Sequence, residues 1–229
     1  NDSQLGRDEP IRDTARVLSR YADALIVRTF GHHKLEELAA SGSIPVVNAL
    51  SDEYHPCQIM ADLLTMREHS GRLDGLTVAF VGDGNNIAHS LINAAARFPI
   101  RVVVAAPKGY EPLPAVVERA RSEGADVAVV NDPREAARGA HYLYTDVWAS
   151  MGQEGEREKR AKAFAGFQIN DALLGLAAPG AKVLHCLPAH RGEEITDAVM
   201  EGPASIVWDE AENRLHVQKA ILEWIFTKG

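Results

Sequence analysis

Short apolar runs alternate along the chain with longer stretches whose apolar positions recur every three or four residues, the pattern of βαβ units winding a parallel sheet. The fold class is therefore α/β. The spacing predicts strands over Ala24–Val27, Pro45–Asn48, Leu76–Val81, Arg101–Ala105, Asp126–Val130, Tyr142–Thr145, Lys182–Leu187 and Ile206–Trp208, with helices in the gaps. One helix is expected over Pro56–His69, opening with proline at its first helical position, where an N–H would go unpaired in any case. Another is expected over Ala211–Phe226, with Val217, Ile221, Trp224 and Ile225 on one face. The charged run Glu154–Lys162 is expected to be a solvated helix or loop.

The Gly71–Gly75 turn divides this pattern into two Rossmann-like three-layer domains with parallel sheets. Residues 1–70 make the C-terminal part of a first domain, truncated at its N-terminus; 71–208 make the second; 209–229 form a helix expected to pack back on the first. Asn1 opens the chain close to a helical pattern, so the numbering is expected to begin partway into a longer protein.

Composition removes several function classes. A length of 229 residues with 46% hydrophobic content is enough for a substantial core, and a formal charge of −8 leaves no broad cationic surface for nucleic acid. No apolar run reaches the roughly 20 residues of a membrane span, and no charged-then-apolar leader is visible, so no membrane partner is expected. Cys57 and Cys186 lie in different motifs, neither a disulfide framework nor a zinc pattern, which fits a reducing compartment and a cytoplasmic location.

The segment from Val78 to Asn86 carries a buried strand into Gly82-Asp83-Gly84 and then a helix. It resembles the opening of a dinucleotide fold only in part. Ile87 stands at the third glycine position, and the next strand ends in Ala105-Ala106-Pro107-Lys108 without the acid that holds a ribose. Asn85 and Asn86 at the helix start either cap it, the commoner role, or offer an amide to a small ligand at the carboxyl edge of the sheet.

Three more motifs fall on the same edge. His55-Pro56-Cys57-Gln58 opens a helix, with His55 at the cap and Gln58 three residues on, where backbone donors favour an anion. Asp146 follows one strand, with Ser150-Met151-Gly152 on a loop beyond it. His185-Cys186-Leu187-Pro188 ends another, where the proline is expected to impose an extended exit and leave carbonyls available to a substrate N–H. Singly, each has an ordinary structural role: an Asp as cap, a Cys as small apolar filler. Together, Asn86, Asp146 and Cys186 sit just past strand ends, where open α/β sheets bind ligands, and Arg28 follows its strand in the same way as a cation for an anionic substrate.

These residues resemble the ornithine carbamoyltransferase family. The match runs along nearly the whole chain: His55-Pro56-Cys57-Gln58 with Ala61-Asp62 behind it, Gly82 to Asn86, Asp146 through Gly152, His185-Cys186-Leu187-Pro188, and Glu210-Ala211-Glu212-Asn213-Arg214, in the family's order. Ser150-Met151-Gly152 and the His185 to Pro188 motif favour the ornithine branch over the aspartate branch. The resemblance implies a two-domain fold with the site in the cleft, a homotrimer or a multiple of trimers, no metal and no organic cofactor. It implies that Arg28, His55, Pro56, Cys57 and Gln58 hold carbamoyl phosphate, with His55 and Arg28 polarising its carbonyl. Cys186, the Leu187 carbonyl and Arg214 are expected beside the carbamoyl group, and Asn86, Asp146, Ser150 and Met151 at the amino-acid end of L-ornithine. The family's Ser-Thr-x-Arg-Thr phosphate segment does not occur here and is expected upstream of Asn1; without it the fragment is expected to be inactive.

The implied reaction is attack of a neutral amine on the carbamoyl carbon, so it needs donors at the carbonyl oxygen and a grip on the leaving phosphate. An amine of ordinary pKa near 10.4 must also lose a proton, at about 4–5 kcal/mol at neutral pH. Cys186 and Asp146 are the candidates for managing that proton, and the Ser150-Met151-Gly152 loop for excluding water on closure. A sister carbamoyltransferase for acetylornithine or putrescine is the enzymatic alternative. A non-catalytic amino-acid-binding module is the alternative of another class, and a nicotinamide dehydrogenase stands third, against the glycine spacing.

Overall fold

The computed structural model describes residues 9–149 and 154–228. The first half runs α1 (Ile11–Leu18), β1 (Leu25–Arg28), α2 (His32–Ser41), β2 (Val46–Leu50) and α3 (Pro56–Ser70). The second runs β3 (Leu76–Val81), α4 (Asn86–Ala95), β4 (Ile100–Ala105), α5 (Pro114–Ser122), β5 (Asp126–Val130), α6 (Pro133–Ala137) and β6 (Tyr142–Thr145). After it come α7 (Arg157–Ala163), α8 (Asp171–Leu174), β7 (Lys182–His185), α9 (Asp197–Met200) and α10 (Val207–Lys228). Both sheets are parallel: β1 pairs with β2, and the larger sheet has the order β5-β4-β3-β6-β7.

Alternation along the strands builds two cores, one on each face of the larger sheet. Val78, Phe80, Val102, Val104, Tyr142 and Tyr144 face α3, α4 and α5, while Ala79, Val81, Val103, Ala105 and Leu143 face α6 and Phe164. Both faces are covered, so these strands are near-continuous apolar runs rather than half-polar ones. α3 belongs to the first half by sequence, yet Ile59, Leu63 and Met66 lie in the core of the second. α3 ends at Gly71, whose φ of 68° is the left-handed conformation that glycine adopts without a Cβ penalty.

α10 lies along α3. Asn213 Nδ2 donates to Thr65 Oγ1 at 3.0 Å and to Glu68 Oε2 at 2.7 Å, and His69 meets Asp209 at 2.8 Å.

Three expectations are corrected. Ile206–Trp208 is not a strand: Ser205 bridges Val183, the Ile206 N–H donates to the Val183 carbonyl, and the helix begins at Val207. A three-residue apolar run carries no period to separate strand from helix, and here the last sheet contact is made one residue before the helix starts. Trp224 is 61% exposed, because α10 meets the body over its first turns, where Glu210, Asn213 and Val217 are buried. Nor does Pro188 impose an extended exit: Leu187 takes a left-handed φ of 56° ahead of a cis Leu187–Pro188 bond.

Candidate active site

The order of the larger sheet reverses between β3 and β6, since successive crossovers from β3 run outward to β5 and the chain then returns to the other side. At such a reversal the loops leaving neighbouring strands part in opposite directions and open a crevice at the carboxyl edge. Gly82 to Asn86 leave β3 there, Asp146 leaves β6, and Cys186 leaves β7 beside it.

Asn85 caps α4, its Oδ1 accepting from the N–H groups of Ile87 and Ala88. Its amide nitrogen is then left to donate to Asp146 Oδ2 at 2.7 Å, bridging the crevice. Asp146 Oδ1 accepts from the Val147 N–H at 2.8 Å and from the Cys186 thiol at 3.0 Å. Burial, then the Asp146 charge, pushes the Cys186 thiol well above its ordinary range, so it stays protonated at physiological pH. Asn86 turns the other way, donating to the Ser51 carbonyl of the first half at 2.9 Å. Gly84 admits no side chain, because a Cβ there would stand 2.2 Å from the Pro112 nitrogen.

His185 explains the unusual turn at Leu187. The Leu187 N–H donates to His185 Nδ1 at 2.9 Å, so that nitrogen carries a lone pair and the proton sits on Nε2, which faces Glu194 Oε1 at 3.1 Å. Both side chains are fully enclosed. These bonds offset the roughly 1–2 kcal/mol that a left-handed residue with a Cβ costs.

From the first half, His55 stands at the cap of α3 and is 7% exposed, its backbone N–H held by Ser90 Oγ at 2.7 Å. Burial, followed by the charges of Arg214 and Arg28, lowers it to about 4, so it is a neutral imidazole at pH 7. Arg28, at the end of β1, and Arg214, on α10, are thus near enough for their charges to act on His55. Cys57 Sγ donates to the Asn48 carbonyl at 3.4 Å. Gln58 is 1% exposed and points inward, donating to Asp62 Oδ1 at 2.9 Å and Glu210 Oε1 at 3.1 Å. A cavity of about 800 Å³ lined by Cys186, Leu187, Pro188, Arg191, Trp208 and Arg214 adjoins the thiol; Arg28, His55 and Asp146 are not among its lining residues.

The structure therefore brings Asp146 and Cys186 into contact and gathers His55, Arg28 and Arg214 by charge, with Glu210 joining Gln58 to the His185 backbone N–H at 2.8 Å. Ser150 and Met151 lie outside the described residues, as does Gly152. Donor atoms of Asp146, His185 and Cys186 lie within 4.8 Å of one another, as do those of His190, Glu193 and Glu194. In the first group each donor already has a protein partner, which a metal would have to displace.

Sequence reasoning missed Arg160, which sits in the charged run yet is buried. It donates to Asp83 Oδ2 at 2.7 Å and to the Trp148 carbonyl at 2.8 Å, and stacks 5.0 Å above the Tyr110 ring. It ties the loop after β6 to the glycine turn after β3. Arg160→Met is expected to lower unfolding free energy by roughly 3–5 kcal/mol in a urea titration, because Asp83 is left as a buried, unpaired carboxylate.

Comparison with known proteins adds a family. Residues 74–225 match the Asp/Orn binding domain of aspartate/ornithine carbamoyltransferase, and residues 1–68 match its carbamoyl-P binding domain. The chain is 62% identical over 227 residues to an ornithine carbamoyltransferase of Nitratidesulfovibrio vulgaris (strain DP4), covering 99% of this chain and 76% of that protein. Among solved structures it resembles the ornithine carbamoyltransferase from Gloeobacter violaceus (TM-score 0.86, 59% identity, 93% of this chain and 73% of that one). It also resembles the one from Pyrococcus furiosus (TM-score 0.91, 52% identity, 96% of this chain and 72% of that one).

Proposed function

The chain belongs to the aspartate/ornithine carbamoyltransferase family and has ornithine carbamoyltransferase activity, and we propose that the residues converging on the crevice divide the work as follows. Carbamoyl phosphate lies at the start of α3, where Pro56, Cys57 and Gln58 form the first turn and the positive end of the helix dipole favours an anion. The neutral His55 ring donates to the carbamoyl oxygen, with Arg28 and Arg214 adding positive charge as the oxygen becomes negative in the transition state. The Leu187 carbonyl accepts from the carbamoyl NH2.

L-Ornithine enters from the second half. Asp146 takes its α-ammonium group, with Asn86, Ser150 and Met151 completing the amino-acid end. The side-chain amine then meets Cys186. A buried thiol already donating to Asp146 is a poor store for a proton but a suitable relay: its sulfur accepts the amine proton as its own passes to the carboxylate. The neutral amine attacks the carbamoyl carbon, the tetrahedral centre collapses as the C–O bond to phosphate breaks, the attacking nitrogen gives its extra proton to the departing phosphate, and L-citrulline and hydrogen phosphate leave.

The observation that supports this division best is the Asn85–Asp146–Cys186 chain laid across the strand-order reversal, together with the two arginine charges, Arg28 and Arg214, that act on His55. The test is citrulline formation by the full-length protein, with ornithine, acetylornithine and putrescine compared side by side; turnover confined to ornithine is expected, and a preference for another amine would refute the assignment of Asp146. Cys186→Ser keeps a hydroxyl relay with poorer alignment and is expected to lower kcat about tenfold, the scale of one hydrogen bond, with an altered kcat–pH profile. An unchanged rate and profile would remove Cys186 from proton transfer. The reading includes assembly as a homotrimer, which sedimentation tests, and a place in the cytoplasm; among the described residues no helix is long and apolar enough to cross a membrane.

A further inference from the structure

Beneath the site lies a second group of polar side chains that the reaction as described does not use. Asp62 on α3 and Glu210 on α10 are 0% and 1% exposed, and both face the Gln58 amide. Tyr144 of β6, Cys186 beyond β7 and Arg214 of α10 are the other ionisable groups turned towards the pair. Among the described residues no salt bridge to either carboxyl is formed. Two carboxylates so placed in an apolar core repel each other and cannot both stay ionised.

The hydrogen bonds locate the proton that resolves this. Glu210 uses both oxygens as acceptors, Oε1 from Gln58 and Oε2 from the His185 N–H. Asp62 accepts from Gln58 at Oδ1; its Oδ2 is buried without a well-formed hydrogen bond, as is the Tyr144 hydroxyl, and Tyr144 and Glu210 are the side chains close enough to interact with it. Burial pushes Asp62 up to about 7, and burial with the Asp62 charge raises Glu210 well above its ordinary range, so the pair holds a proton at neutral pH. Either Glu210 oxygen would lose acceptor strength to one of its N–H donors by taking it, whereas Asp62 Oδ2 loses nothing, so the proton belongs on Asp62.

The consequence reaches the substrate. Both hydrogens of the Gln58 amide nitrogen are committed to the carboxyl pair, which leaves Gln58 Oε1 buried and unpartnered. We propose that Asp62 and Glu210, sharing one proton, are positioning residues that lock the Gln58 amide with its oxygen turned towards the carbamoyl NH2 as an acceptor. This rests on carbamoyl phosphate lying at the start of α3. Because Asp62 and Glu210 come from α3 and α10, the lock forms only when those helices are docked.

The proposal predicts an asymmetry between two isosteric substitutions. Asp62→Asn supplies an oxygen to Gln58 and an N–H where the proton sat, so any rise in KM for carbamoyl phosphate should be several-fold smaller than that caused by Glu210→Gln, no net hydrogen bond being lost. Glu210→Gln must turn an N–H towards either Gln58 or His185, so KM for carbamoyl phosphate should rise about tenfold or more as a buried donor is left without its acceptor. In a Gln58→Ala background the same Glu210→Gln change should add no further rise. Equal damage from the two single substitutions, or independent multiplication in the double variant, would overturn the proposal.

A readout without turnover separates this from failure of the functional reading. The folded-state value of Asp62 lies above its ordinary 3.8, so its contribution to stability is complete below that value and is lost as pH rises through about 7. Wild-type Tm should therefore fall between pH 6 and 8 more steeply than that of Asp62→Asn, and an infrared band of a protonated carboxyl should be present in wild type at pH 6 and absent from the variant. If the band persists in Asp62→Asn, the proton is not on Asp62 and the proposal fails, whether or not citrulline is made; this arm also decides the matter if Glu210→Gln does not fold.

Discussion

Replacing His55 with alanine is expected to lower kcat by about a hundred- to a thousandfold, the range found when one donor to a developing oxyanion is removed. KM for ornithine should change little if His55 serves the carbamoyl end, as proposed. The imidazole is neutral, since burial and the two arginines hold it at about 4. Turnover should therefore show no acid limb from His55 until pH approaches that value. Stability has its own signature: with the folded value below the ordinary 6.5, the His55 contribution is complete above 6.5 and is lost as pH falls towards 4. Steady-state kinetics and a thermal melt across pH 4–7, compared with His55→Ala, check both statements. A variant with wild-type kcat would place the oxyanion donor elsewhere.

The second large effect is expected at Asp146. Its carboxylate holds Asn85 on one oxygen and Cys186 and Val147 on the other. Asp146→Asn keeps the shape but removes the charge proposed to receive an ammonium group. We expect kcat/KM for ornithine to fall about thirtyfold or more, as truncating one member of a buried charge pair costs roughly 2–5 kcal/mol. KM for carbamoyl phosphate should stay close to wild type, which separates loss of a binding charge from general damage to the fold. A loss shared equally between the two substrates would mean that Asp146 serves the architecture of the crevice rather than the amino acid.

The parallel sheet was readable because its strands are long, apolar and bounded by turns. Leu76–Val81, Asp126–Val130 and Tyr142–Thr145 are observed with the limits the pattern predicts, and others shift by a residue or two. Ile206–Trp208 failed because three apolar residues carry no period. Within the site, Asn85 was legible as a cap, but the use of its second polar atom on Asp146 was not, since 61 residues separate the two. Asp62 carried a usable signal: it stands four residues after Gln58, on the same helix face, where an amide and a carboxyl meet. Glu210 carried none, being 152 residues from Gln58. Arg160 was hidden among exposed charges.

Read alone, the chain determined its α/β class, the two halves, the positions of its motifs on strand and helix ends and, through their order, its family. Those properties follow from local spacing, because period and turn chemistry act over a few residues. Tertiary structure decided which polar atoms face one another: the thiol on Asp146, the imidazole among arginines, the carboxyl pair around one amide. Hydrogen bonds and charge shifts depend on distances of a few ångströms between residues far apart in the chain, and only packing sets those distances.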